Sequence, residues 1–211
     1  MKCMSWTAGS CPLSDKNGGH NHEENVGNAP WSGAPDDGGC GLRRERGPTF
    51  EQLSKLQWEF SSGVGGWSTE MQISEDGSFK AQYHDSEMGE TGENYPNGSV
   101  YTCEFSGQMS ILDQVDEHSW KVHVDKVAAD EATGKETFED GVRYVTSDST
   151  YGIVDGDDMV LYLPGTPVDA LTEDMKMWAH LLGDDAPAEL ENWFLYSAKN
   201  ETGFVGYAAE D

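Results

Sequence analysis

Basic residues are scarce in this sequence. Lys and Arg together number 13 against 39 Asp and Glu in 211 residues, which gives a formal net charge of -26. Almost all of the excess lies beyond residue 48, where eight basic residues face 33 acidic ones. Such a surface repels phosphate backbones and anionic headgroups, so we set nucleic-acid binding and membrane-surface binding aside. The excess is either a solubilising surface or one that attracts cations, cationic peptides or neutral sugars.

Long hydrophobic runs are also missing. No apolar run follows Met1-Lys2-Cys3, so the sequence predicts neither a signal peptide nor a transmembrane segment. Taken literally, this predicts a cytoplasmic protein. A start codon misplaced downstream of a true signal would leave the same pattern.

Cysteine is nearly absent beyond residue 48, where Cys103 stands alone, so a disulfide scaffold is excluded for that part. The first 48 residues hold five side chains with zinc-ligand chemistry. Zinc modules place pairs of ligands two to four residues apart, and only two of these five are that close, which argues against an ordered zinc site. Incidental thiols in a tail are the simpler interpretation, and pairing of the three tail cysteines stays open. The five residues are Cys3, Cys11, His20, His22 and Cys40.

Residues 1–48 are poor in aliphatic side chains and rich in Gly, Asn, Ser, Pro and Asp. They cannot bury enough apolar surface to offset the entropy of ordering the chain. We therefore predict a flexible tail over 1–48, a boundary at Gly47-Pro48, and one acidic domain over 49–211.

The clearest structural pattern is a hairpin from Trp67 to Tyr83. Apolar and polar residues alternate on both sides of Asp76-Gly77, which is the strongest short-range hairpin signal in a sequence. We expect Gly77 to have a positive φ, and Trp67 and Tyr83 to share the end of the barrel far from this turn.

Further strands are predicted at short intervals along the chain. Separate strands are expected over 100–105 and 108–115, and an acidic loop over 130–141. One helix is expected from Thr166-Pro167 to Gly183, because apolar residues recur there at helical spacing. The predicted fold is mainly β, an antiparallel barrel or barrel-like sandwich of about 8–10 strands with one amphipathic helix in the C-terminal half. The apolar stripe of that helix is Leu171, Met175, Trp178 and Leu182.

At Gly65-Gly66-Trp67 the sequence resembles the Gly-x-Trp entry of lipocalin and avidin-type (calycin) barrels, in which this Trp closes one end. The resemblance implies a basic residue packed on Trp67, for which Arg143 is a candidate. Longer stretches, within 67–85, 95–107 and 161–178, resemble an uncharacterised family of secreted or lipoprotein-anchored domains of Firmicutes. That resemblance implies a lipocalin-like barrel in an extracellular or envelope setting, and it implies no activity.

Six residues are predicted to contact a small apolar or sugar-like ligand at the barrel mouth. Aromatic rings dominate the set, and barrel mouths are common ligand sites, although filling the core is the default role of such rings. We expect Trp67 to form the floor of a shallow pocket beneath the loop 85–98, with His84 and Tyr95 at its rim. The six are Trp67, Tyr83, His84, Tyr95, Tyr101 and Trp120.

Two sites with other chemistry remain as alternatives. His84-Asp85, with Glu87 and Tyr95 nearby, could serve as general acid and base in a hydrolase or isomerase. The carboxylates of the run 155–158 could hold calcium, although an acidic β-turn is the more frequent meaning of such a run.

The leading functional hypothesis is a non-enzymatic lipocalin-like barrel that binds a small ligand or an envelope partner and needs no cofactor. The alternatives are the hydrolase or isomerase using His84 and a purely structural or adhesive module. An internal cavity would separate a ligand carrier from a structural module. The sequence leaves the ligand and the oligomeric state open.

Overall fold

The computed structural model describes residues 47–183 and 185–209. The predicted tail and the candidate zinc ligands therefore lie outside the described residues. Ten strands, two short α-helices and one 3-10 helix at Val168–Ala170 make up the fold. The helices are α1 Phe50–Leu53 and α2 Glu173–Trp178. The strands are β1 Leu56–Ser61, β2 Trp67–Ile73, β3 Ser78–Glu87, β4 Ser99–Asp116, β5 Ser119–Ala129, β6 Glu136–Glu139, β7 Val142–Thr146, β8 Asp158–Tyr162, β9 Trp193–Ser197 and β10 Thr202–Ala208.

Eight of the strands close into an antiparallel barrel. The order around it is β1-β2-β3-β4-β5-β8-β9-β10, and β10 pairs again with β1. Closure gives every barrel strand a neighbour on both sides, which removes exposed edges. The predicted fold class is confirmed.

The β2–β3 hairpin forms where the sequence predicted it, with Trp67 and Tyr83 at the end far from the turn. Trp67 lies opposite Asp85, and Ile73 lies opposite Phe79. Gly77 has φ +81°, as expected. The turn is longer than a two-residue loop, since the Gly77 amide donates to the Ser74 carbonyl (3.0 Å) and Asp76 is not among the described residues with positive φ. This is the pattern of a type I turn followed by a left-handed glycine. We call this end of the barrel the turn end, and the opposite one the Trp67 end.

The two strands predicted over 100–105 and 108–115 form one long strand, β4. Between these two predicted segments the pairing with β5 is irregular: the register shifts between Gln108 and Met109 and leaves Asp125 of β5 as the extra residue. A β-bulge of this kind inserts a residue without ending the strand. β4 can therefore pair with β3 along its first half and with β5 along its second.

The segment 130–141 was predicted as a loop and contains β6. β6 pairs with β7, and β7 pairs in parallel with Ser99–Thr102 of β4. These pairings occur past the point where β5 ends, since Ala129 lies opposite Phe105. We call residues 85–102 and 130–146 the extension.

The barrel interior is filled with side chains. Inward-facing residues alternate with outward-facing ones along each strand, and the largest of the inward-facing side chains are at most 2% exposed. Rings and methionines therefore occupy the space that a lipocalin-like ligand would need. The fully buried large residues of the main core are Trp58, Phe60, Met71, Ile73, Phe79, Phe105, Met109, Ile153, Met159 and Phe204.

Helix α1 lies at the turn end. Thr49 caps it and accepts a hydrogen bond from the Gln52 amide (3.3 Å). Leu53 is 2% exposed, and its carbonyl accepts a hydrogen bond from the indole Nε1 of Trp58 (3.4 Å). The helix thereby covers the core at this end.

A segment between β7 and β8 lies across the Trp67 end. The hydroxyl of Thr69 donates to the Tyr151 carbonyl (2.7 Å), and that of Thr202 donates to the Gly152 carbonyl (3.0 Å). Ile153 is fully buried in the main core. β2 and β10, the two neighbours of β1, thus hold this segment over the opening.

The predicted helix is shorter than its apolar stripe. Thr172 caps α2 instead of Thr166, and the helix ends at Trp178, shortly before His180 with its left-handed φ of +58°. Leu171 and Met175 pack against β9 and β10 on the outside of the barrel. Leu182, the last residue of the predicted stripe, lies beyond the end of the helix and is 58% exposed, so its assignment to the helix was wrong.

No helix in the described part of the chain is long and apolar enough to cross a membrane.

Candidate functional site at the Trp67 end of the barrel

Trp67 is half-buried in a cluster of aromatic rings at its end of the barrel. Its ring centroid lies 4.9 Å from that of Phe60, 5.0 Å from Tyr151 and 6.2 Å from Trp178, all in edge-to-face arrangements. Such contacts are each worth about 0.5–1.5 kcal/mol beyond area burial. Trp67 therefore helps to close the barrel, and Tyr151 and Trp178 occupy positions where a ligand was expected.

Tyr83 belongs to the same cluster. Its ring lies 5.4 Å from that of Tyr151, and its hydroxyl donates to Oδ2 of Asp85 (3.3 Å). Burial, followed by the negative charge of Asp85, raises the pKa of Tyr83 to about 12. The phenol therefore stays protonated, and remains a hydrogen-bond donor, well above the usual range of tyrosine.

Replacing Tyr83 by Phe should flatten the alkaline stability profile. A pKa raised in the folded state favours folding below the unfolded pKa of about 10, and this contribution is lost as the pH rises towards 12. Wild type should therefore lose more stability than Tyr83→Phe between about pH 10 and pH 12. Urea unfolding at stepped pH, together with ultraviolet titration of the tyrosinates, measures this. Parallel profiles for the two proteins would contradict it.

A charged cluster lies under the loop 88–98 of the extension and centres on Arg143. The guanidinium is 2.8 Å from a carboxylate oxygen of Glu90 and donates to the Tyr101 hydroxyl (3.4 Å). Its Cζ lies 4.7 Å from the centre of the Tyr95 ring, a cation–π contact. Tyr101 and Tyr95 therefore both contact the guanidinium of Arg143, a protein side chain that lies where a ligand was expected.

Further contacts complete this cluster. Arg143 Nε donates to the Ser99 hydroxyl (3.1 Å), and a second carboxylate, that of Glu136, lies 3.6 Å from the guanidinium. The hydrogen bond from Tyr101, followed by that from Arg143, holds the pKa of Glu90 below its usual range. Arg143 is the one arginine beyond residue 48, and that was the signal in the sequence. It packs on Tyr95, not on Trp67 as the resemblance implied.

His84 faces the outside of the barrel. Its Nδ1 lies 3.1 Å from the Ser68 hydroxyl, its neighbour across the hairpin. Asp85 follows directly on the same strand, so its side chain points to the opposite face, where Tyr83 donates to it. The structure therefore does not bring this histidine and this carboxylate together as an acid–base pair.

Trp120 lies at the turn end, far from the other five predicted residues. A side chain placed on Gly47 would come within 2.8 Å of its indole Nε1, so the start of the described chain covers it. It is 9% exposed. The six predicted residues thus separate into Trp67 with Tyr83, Tyr95 with Tyr101, His84 on the outer face, and Trp120 at the other end.

The carboxylates of the run 155–158 point to different partners. Asp155 accepts from the Val127 amide (2.9 Å), and Asp158 pairs with Lys121 (2.7 Å). Asp157 is 1% exposed and accepts from Asn200 (2.6 Å). Over residues 47–183 and 185–209, no three His, Cys, Asp or Glu side chains are grouped so that they could hold a metal ion.

A groove lies outside the barrel, between α2 and the segment that follows it. A polar cavity of about 370 Å³ lies there, with Glu173, Lys176 and Pro187 among its walls. A smaller and more apolar cavity of about 100 Å³ adjoins it beside Phe194 and shares Pro187. None of the six predicted residues lines either cavity.

No protein family, curated protein or solved structure matches this chain. The interpretation of the site therefore rests on its geometry. A filled and covered barrel offers fixed outer surfaces, and the extension combines exposed rings with uncompensated negative charge.

Proposed function

We propose that the protein is a non-enzymatic, lipocalin-like barrel that binds a cationic partner on its extension. The observation that carries this proposal is the combination of a filled barrel with a protruding edge of the sheet at the Trp67 end. Core rings occupy the interior, and both ends are covered. Recognition is therefore expected on the outside.

The charge of the extension favours a cationic partner. The extension contains nine acidic residues and two basic ones. Both cations are already paired within it, Lys135 with Glu131 at 3.3 Å and Arg143 with Glu90 at 2.8 Å. The remaining carboxylates have no lysine or arginine of the extension to balance them, so they present a negative field to a partner.

Exposed rings accompany this charge. Phe138 on β6 is 51% exposed, and its ring lies 5.9 Å from that of Tyr95. Tyr144 on β7 is 36% exposed and lies on the opposite face of the β6–β7 pair. Lysine and arginine side chains bind favourably over aromatic faces, particularly beside carboxylates. The extension thus has both elements that recognise a basic side chain.

We expect the full chain to bind a short lysine peptide, measured by fluorescence anisotropy, with an affinity that falls as salt is raised from about 50 to about 500 mM. Neutralising three exposed carboxylates of the extension should weaken binding about tenfold, since 1.4 kcal/mol corresponds to a factor of ten. The same change in charge at the turn end should weaken it less than about threefold. The extension variant carries Glu87→Gln, Glu93→Gln and Asp140→Asn, and the control carries Glu75→Gln, Asp113→Asn and Glu117→Gln.

Equal losses in the two triple variants would mean that the negative charge acts diffusely, and the proposal would be wrong. An absence of binding at low salt would favour the structural or adhesive module. Binding of a small ligand in the groove beside α2 is the second candidate, favoured by the cavity of about 370 Å³. A small molecule retained by the purified chain in native mass spectrometry would support that alternative.

A further inference from the structure

Among the strands that the structure describes, β6 is the one with a single neighbour. Every other strand pairs on both sides, whereas β6 pairs with β7 alone. The amide of Thr146 donates to the carbonyl of Lys135 across this pair (2.9 Å). Because hydrogen bonding alternates along an antiparallel pair, Thr137 bonds towards β7. The amide and carbonyl groups of Glu136 and Phe138 therefore point away from the sheet.

An open edge of this kind accepts a further strand. Natural proteins usually shorten or charge such an edge, and β6 has four residues with a glutamate at each end. All four are exposed. The short length and the glutamates of β6 disfavour pairing with most strands, whereas their negative charge favours a strand that carries positive charge.

We propose that β6 is a docking strand to which an extended, lysine- or arginine-rich peptide of a partner protein adds as an eleventh strand. This inference rests on the proposed function and names its partner class and its mode of binding. Main-chain hydrogen bonds to Glu136 and Phe138 supply the pairing. Basic side chains on one face of the added strand reach Glu136 and the Phe138 ring, and those on the other face reach Glu139.

A second copy of this chain fits the edge less well. Pairing β6 with another β6 would bring its terminal glutamates close to those of the partner strand, and like charges opposite each other destabilise a sheet. A basic strand turns the same positions into attractive pairs. Charge complementarity therefore favours a different, cationic partner.

The test compares two substitutions at one position in the full chain. Phe138→Pro and Phe138→Ala both remove the ring, but only the proline removes the outward amide, and proline is tolerated where a strand amide faces solvent. The probe is a blocked seven-residue peptide of alternating lysine and threonine, followed by fluorescence anisotropy. We expect Phe138→Ala to weaken binding about threefold and Phe138→Pro to weaken it at least about tenfold more.

Methylated probes keep the test independent of the variant's folding. A peptide N-methylated at every residue keeps its charge but has no backbone N–H to donate from either edge of the strand. Wild type should therefore bind it at least about tenfold more weakly than the parent peptide. A peptide methylated at alternate residues retains one donating edge and should bind nearly as well as the parent. Bound parent peptide should slow the hydrogen exchange of the backbone amides of Glu136 and Phe138.

Two results would overturn the docking strand and leave the proposed function in place. One is equal binding of the parent and fully methylated peptides, together with sensitivity to salt and to neutralisation of the extension. The other is a dimer in sedimentation that Phe138→Pro abolishes, because a second copy would then occupy the edge. No binding of the parent peptide to wild type at low salt would overturn both proposals.

Discussion

Replacing Phe60 by Ala should lower the free energy of unfolding by about 4 kcal/mol, as expected for a large ring deleted from a packed core. Phe60 is 1% exposed, and its ring is within 5.4 Å, centre to centre, of four other aromatic rings. These rings come from β2, β10, α2 and the segment before β8, so they cannot all move into the space. The surrounding structure should relax only in part and leave a cavity.

Urea unfolding of the purified chain measures this loss. Phe138→Ala is the matched control, because its ring is 51% exposed and its removal should cost less than about 1 kcal/mol. A loss near that of the control would mean that Phe60 does not fill the barrel.

The same variant tests whether the wild-type barrel has room for a ligand. Apolar cavities made by deleting a buried side chain bind benzene, and a ligand that binds only the folded state raises its stability. Benzene should therefore raise the unfolding midpoint of Phe60→Ala and leave that of wild type unchanged. A clear rise in wild type would show an internal cavity, the feature that would favour a ligand carrier over a structural module.

The sequence predicted the barrel because its strands are marked by local signals. Alternation on both sides of Asp76-Gly77 defined the β2–β3 hairpin, and its register placed Trp67 and Tyr83 at the same end. These signals depend on neighbours in sequence, and the pleat of a strand turns them directly into inward and outward faces. The barrel and its Trp67 end could therefore be predicted.

The cover over that end could not be predicted in the same way. Tyr151 and Gly152 lie in a polar stretch without periodicity, and their carbonyls accept hydrogen bonds from the hydroxyls of Thr69 and Thr202, which are about 50 to 80 residues away in sequence. Such contacts exist only once the barrel is formed. The loop 85–98 was similarly expected to leave a pocket open, and Arg143, from a later strand, lies beneath it.

The helix shows the opposite failure, in which a local signal is overridden. Apolar spacing continued to Leu182, yet α2 ends at Trp178, whose ring packs 4.9 Å from that of Phe60. The chain then turns at His180 with a left-handed φ. Tertiary packing at the barrel end thus ended a helix that propensity alone would have continued.

Gly107 is the position where the fold most clearly requires the absence of a side chain. A Cβ placed there would lie 2.2 Å from the Lys126 carbonyl oxygen and 2.4 Å from Cζ of Phe79. The carbonyl belongs to β5 and the ring is 1% exposed, so neither can give way easily. The glycine lies on β4 next to the register shift between Gln108 and Met109. The two strands that the sequence predicted were separated here, whereas β4 continues through the glycine.

Gly107→Ala should therefore destabilise the protein by at least about 3 kcal/mol, since overpacking a core usually costs 1–3 kcal/mol and here backbone must also move. Gly66→Ala is the matched control, because a Cβ at Gly66 meets nothing within 4 Å and its φ is not positive. Its stability should stay within about 0.5 kcal/mol of wild type. Urea unfolding and amide exchange in β4 and β5 measure both. A change below about 1 kcal/mol in Gly107→Ala would show that β4 does not pack this closely against Phe79 and β5.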